Sequence, residues 1–125
     1  MKALSVVQPW AWAILHAGKT IENRSWRTHY RGPLVIHASA TRMRDDEMPR
    51  GAPKVPDELE FGAILGIVDL VDCVERSRSK WFHGPYGWVM ENPRAVRRPI
   101  PCKGNRSLWD LSPAQERLLK SRLRA

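Results

Sequence analysis

Residues 63–75, AILGIVDLVDCVE, constrain the fold of this chain more than any other stretch. On a strand, side chains alternate between faces, so Ile64, Val68, Leu70 and Val74 fall on one side and Leu65, Ile67, Val71 and Cys73 on the other. A strand apolar on both faces has to be covered on both, as where it is shared between a barrel interior and an outer helix. Shorter strands are expected at 3–7, 20–26, 33–39, 86–91 and 96–101, the last at an edge because of its prolines. Pro9 suits a first helical turn, 10–17 is apolar on nearly every face, and Gly18 stands where a left-handed stop belongs. The polar stretch 42–60 reads as a short helix plus a surface loop. Ser112-Pro113-Ala114-Gln115 is a capping box that opens a final basic helix reaching about residue 123. Five or six short strands with few helices describe an α+β fold built on a small mixed β-barrel. A chain of 125 residues has enough material for one core and too little for two.

Charge narrows the function. The 21 Lys and Arg against 13 Asp and Glu give a net charge of +8, which favours a polyanionic partner. The excess is concentrated in two stretches. Residues 94–125 carry a local +7 and 16–31 a local +3, while 45–60 carry −4. The fold must bring the two basic stretches together to make a single patch. Cys73 and Cys102 cannot build a secreted disulfide framework, and no apolar run approaches the roughly 20 residues of a membrane span. With no signal peptide visible, the chain reads as soluble and cytoplasmic.

The densest chemistry lies in Gly18-Lys19-Thr20-Ile21-Glu22-Asn23-Arg24-Ser25-Trp26. Alternation puts Thr20, Glu22, Arg24 and Trp26 on one face and Lys19, Ile21, Asn23 and Ser25 on the other. Glu22 beside Arg24 would stay ionised and hold the guanidinium fork in one orientation; the alternative is a surface pair worth little.

The same segment resembles the G-x-K-x-x-E-x-R signature of the ASCH (activating signal cointegrator 1 homology) domain. Gln8-Pro9-Trp10 precedes it and Ser25-Trp26 comes after it. Arg31-Gly32, Leu65-Gly66, Val68-Asp69-Leu70, Asn92-Pro93, and Pro101 through Lys103-Gly104 to Trp109 extend the resemblance over 1–111. It implies a PUA-like β-barrel with a cleft beside the first helix. The ASCH domain would cover 1–111, with 112–125 a basic helix packed on or extending it. The implied business is nucleic acid, bound or processed. Some small amidohydrolases of N4-acetylcytidine in this group carry a lysine, a threonine three positions on, and a distant glutamate. Lys19 matches their lysine, but Glu22 replaces the threonine and its hydroxyl; Glu75 and Glu91 are the candidates for the glutamate. Other members are ribonucleases, in which Lys19 would offset phosphate charge and Glu22 would take a proton from a 2′-hydroxyl.

The leading expectation is therefore a basic cleft for single-stranded RNA or DNA, or for an exposed nucleotide. Lys19, Arg24, Lys103 and Arg106 would meet phosphate or sugar, joined by Asn105 of the same turn. Gln8, Glu22 and Ser25 would address base or ribose. Trp10, Trp26 and Tyr86 are candidate stacking platforms. Each has a blander alternative: Gln8 suits a helix cap as well as a base edge, Trp26 and Tyr86 suit the core, and Lys103-Gly104-Asn105-Arg106 suits a solvated loop. The runner-up is a metal-independent hydrolase, a ribonuclease or an amidohydrolase of N4-acylated cytidine, using Lys19 and Glu22. A third reading makes the C-terminal helix, with Arg117, Lys120, Arg122 and Arg124, the dock for an acidic protein. His16, His29, His37 and His83 are scattered and no Cys-x-x-Cys occurs, so no metal is expected, and no cofactor motif is present.

Overall fold

Apolar alternation and tight turns generate eight elements: β1 (Lys2–Gln8), α1 (Trp10–His16), β2 (Ile21–Arg24), β3 (Gly32–Arg42), β4 (Ala63–Val74), β5 (Tyr86–Pro101), β6 (Trp109–Asp110) and α2 (Pro113–Arg122). The structure, a computed structural model, describes residues 1–44 and 47–123. Asp45, at the start of the acidic stretch, and Arg124, of the basic helix face, lie outside the described residues. The strands form one mixed sheet in the order β2-β5-β4-β3-β1-β6. Only β1 and β3 run parallel within it. This is the expected α+β architecture, with the barrel left open between β2 and β6.

The sheet is covered on both faces. Leu34, Ile36 and Ala38 of β3 point into one core with Ala11, Ile14 and Leu15 of α1. Val35, between them, points into a second core with Ile64, Ile67, Val96, Ile100 and Leu119 of α2. α2 opens as its sequence predicts: Ser112 Oγ accepts from the Gln115 N–H at 3.1 Å, and Gln115 Oε1 accepts from the Ser112 N–H at 2.9 Å.

Three expectations change. First, β4 does not alternate strictly. Ile64 and Ile67 share one core, and Val68, Leu70 and Cys73 the other, because the register with β5 shifts after Ile64, Ile67 and Leu70. The phase of β4 reverses twice, between Ile64 and Ile67 and between Leu70 and Cys73, at places where its register with β5 slips. Gly66 is needed there, since a Cβ would lie 2.4 Å from the Arg94 carbonyl oxygen. Second, 86–91 and 96–101 are one long strand rather than two. Asn92, at φ 54°, and the shifts opposite β4 absorb the irregularity that reads as a break in sequence. Asp69 holds this region by accepting from Arg94 Nη2 at 2.7 Å and Asn92 Nδ2 at 3.2 Å, a structural role. Third, β3 itself runs on to Arg42, and of the short helix expected in 42–60 the described residues show a 3₁₀ turn at Glu47. The short β6 was not foreseen; it sets Trp109 opposite Ala3.

Candidate functional site

The connection between β1 and β3 carries α1 and β2, and it builds the most polar buried cluster of the described residues. Gly18 ends α1 at φ 74°, and the chain enters β2 only at Ile21. Lys19 therefore precedes the strand and escapes its alternation. Instead of facing away from Glu22, its Nζ lies 3.1 Å from Glu22 Oε1, also donates to the Ile21 carbonyl, and sits 5.8 Å from the centre of the Trp10 ring. Glu22 Oε2 meets Arg24 Nη2 at 3.1 Å, and the same Nη2 donates to the Ser5 carbonyl at 2.6 Å. The pairing of Glu22 with Arg24 is the one alternation predicts.

This row of charges is largely out of water: Lys19 is 4% exposed and Glu22 8%. Burial pushes the Lys19 amine below its ordinary value of 10.5; Glu22 pulls it back up, and Arg24 pushes it further down. Arg24 Nε has no hydrogen-bond partner among the described residues. Lys19, Glu22 and Arg24 line a hollow of about 660 Å³ together with Trp10, Trp81 and Ser5. A second hollow, of about 820 Å³, is lined by His37, Asn105, Arg106 and Trp109, and again by Ser5. The two hollows thus meet at one residue. Gly104 lets the 103–106 turn approach: a Cβ there would lie 2.5 Å from Ser5 Oγ.

Six of the eleven sequence candidates line these hollows: Trp10, Lys19, Glu22, Arg24, Asn105 and Arg106. The other five sit elsewhere. Gln8 is buried; its Oε1 accepts from the Trp12 N–H at 2.9 Å and its Nε2 donates to the Glu60 carbonyl at 2.9 Å, so it caps α1 and ties down the segment before β4. Trp26 packs edge-on to Trp88 at 4.7 Å, and its carbonyl accepts the Trp88 indole N–H. Tyr86 lies half-buried under the Arg27 guanidinium. Ser25 and Lys103 are exposed and line neither hollow. Of the carboxylates considered as a distant partner, Glu75 pairs with Arg27 and Glu91 is exposed. Glu47 is the one that reaches the rim of the first hollow.

Sequence reasoning did not single out Ser5, His37, Glu47 or Trp81. For Ser5 and His37 a signal existed: each is a polar residue within an apolar strand, in LSVV and VIHA. No group of three or more His, Cys, Asp or Glu among the described residues is placed to hold a metal ion. No helix among them is long and apolar enough to cross a membrane.

Residues 4–100 match the family model described as the ASCH domain. The chain belongs to the ASCH family. Its ASCH region is similar to Activating signal cointegrator 1 of Homo sapiens, at 32% identity over 126 residues, and to that of Mus musculus, at 31%. Each match takes in 86% of this chain but only 22% of the relative, so the chain spans less than a quarter of those proteins. Among solved structures, the ASCH protein of Zymomonas mobilis superposes with a TM-score of 0.60, covering 98% of this chain and 95% of that one. A tyrosine-to-phenylalanine mutant of the same Zymomonas mobilis protein gives 0.65 with 98% of both covered. Both are 16% identical to this chain, a likeness of fold. The PUA-like ASCH architecture is thereby established.

Proposed function

We propose that this ASCH domain binds single-stranded nucleic acid or an exposed nucleotide, RNA in the first instance. The observation that carries the reading is the Lys19–Glu22–Arg24 row of charges, set against Trp10 in a hollow that adjoins the Asn105–Arg106 turn through Ser5. An unpaired base would enter the hollow against Trp10, where stacking contributes about 1–3 kcal/mol. Arg24 and Arg106 would meet flanking phosphates, with Glu22 holding the Arg24 fork in place. The binding unit is residues 1–111, with 112–125 as its buttress. Cys73 and Cys102 are both free, which suits a reducing compartment such as the cytoplasm.

The test is fluorescence anisotropy of short single-stranded RNA and DNA across a salt series. Affinity should fall steeply with salt, and Arg24→Ala and Arg106→Ala should each flatten the log–log slope by about one. A salt-independent dissociation constant for the wild-type chain defeats the reading.

One observation favours a second reading in the same hollow, a metal-independent ribonuclease or an amidohydrolase of N4-acylated cytidine. The buried Lys19 amine, with its lowered affinity for a proton, suits a proton-transfer role beside Glu22. Turnover that persists in EDTA and disappears in Lys19→Ala supports it; an unchanged rate in that variant removes it.

A further inference from the structure

We propose that Ser5 and His37 form an acyl-transfer site beside the second hollow, one that takes carboxylic esters. The parallel register of β1 and β3 sets Ser5 opposite His37. Ser5 Oγ lies 2.9 Å from His37 Nδ1, and His37 Nε2 lies 2.6 Å from the Cys102 carbonyl oxygen. A carbonyl can only accept, so Nε2 carries a proton toward Cys102, and Nδ1 is the ring nitrogen that faces the Ser5 hydroxyl. Nucleophile, base and orienting group are thus lined up within hydrogen-bond reach. The ring is held firmly: His37 is 2% exposed and Trp109 meets it edge-on at 5.5 Å.

The surroundings suit the chemistry. Gly104 lets the 103–106 turn pack directly against the pair, since a Cβ there would collide with both Ser5 Oγ and the His37 ring. Asn105 and Arg106 of the same turn line the hollow and carry N–H donors for the charge that develops on an ester carbonyl. Ser5 lines both hollows: its carbonyl accepts from Arg24 of the first, and its hydroxyl stands beside His37 of the second, where the ester would sit. In the first step Ser5 Oγ bonds to the ester carbon while its proton passes to Nδ1. The bond to the alcohol oxygen breaks as Nδ1 returns that proton to it. Water then attacks the Ser5 ester, giving one proton to Nδ1, which hands it to the departing Ser5 oxygen. The net reaction converts ester and water to acid and alcohol. The site shares Asn105 and Arg106 with the nucleic-acid reading, but it uses neither Lys19 nor Glu22 and adds a bond-breaking step which that reading lacks.

The experiment treats the full chain with p-nitrophenyl acetate and, separately, with an alkyl fluorophosphonate, and maps adducts by mass spectrometry. A burst of about one equivalent of p-nitrophenol, an acetyl group on Ser5, and phosphonylation of Ser5 with loss of fluoride are expected. Ser5→Ala should abolish the label. His37→Gln, which keeps a donor for the Cys102 carbonyl, should slow labelling about 100-fold or more. Absence of label on Ser5 in the folded wild-type chain overturns the proposal whatever the variants do. Label on Lys19 or Cys102 in its place, or an undiminished rate in His37→Gln, overturns it too. A wild-type chain that binds RNA but takes no label defeats this inference alone; one that is labelled but binds no RNA defeats the other.

Discussion

At the scale of single residues, the burial of Lys19 has a measurable consequence for stability. Its native affinity for a proton is lowered, chiefly by desolvation, so between that lowered value and 10.5 the unfolded chain holds a proton that the native state has shed. Stability therefore rises with pH across this window. The difference in urea midpoint between the wild-type chain and Lys19→Met should grow in favour of the wild type as pH climbs toward 10.5; a difference that stays flat contradicts the burial argument. Gln8 makes a different prediction. Gln8→Leu removes the partners of the Trp12 N–H and the Glu60 carbonyl, so denaturation should show a loss of roughly 1–3 kcal/mol for each orphaned group. The union of Glu22 with Arg24 was legible in the sequence because strand periodicity is local. The placement of Lys19 was not: it depends on where β2 begins after the turn at Gly18, a boundary fixed by pairing with β5.

At the scale of elements, the bulges of β4 decide which side chains reach which core. Gly66→Ala would force a methyl against the Arg94 carbonyl, with Leu15 and Ala95 closing the other sides. The expected cost is about 1–3 kcal/mol, read as a lowered midpoint of thermal unfolding. A neutral effect there would show that the strand can slip past this contact. The sequence identified β4 as a strand with two covered faces, and that was right. It could not assign each residue to its face, because a bulge leaves no mark in composition; it exists only relative to the partner strand. For the same reason β5 reads as two short strands around Asn92-Pro93, although β4 carries the chain through that irregularity. Ser5 and His37 became a pair only once β1 and β3 were seen to lie side by side.

At the scale of the whole molecule, α1 and α2 divide the work between the two faces of the sheet. Leu119, fully buried, joins α2 to Val96 and Ile100, so Leu119→Ala should cost about 2–5 kcal/mol by urea titration. Truncation after Leu111 would uncover the same core, so point substitutions of Arg117 and Lys120 are the cleaner way to ask whether the basic helix adds to RNA affinity. The net charge of +8 was visible at once, whereas the meeting of 16–31 with the 103–106 turn at Ser5 required the fold. The parallel register of β1 and β3 has one further consequence. Of the residues around the first hollow, Trp10, Lys19, Glu22, Asn23 and Arg24 ride on the excursion between two strands that are fastened directly to each other. Selection, or a designer, can therefore vary the hollow-facing side chains of this excursion and change what is recognised, provided Ala11, Ile14 and Leu15 stay in the core and β2 stays paired with β5.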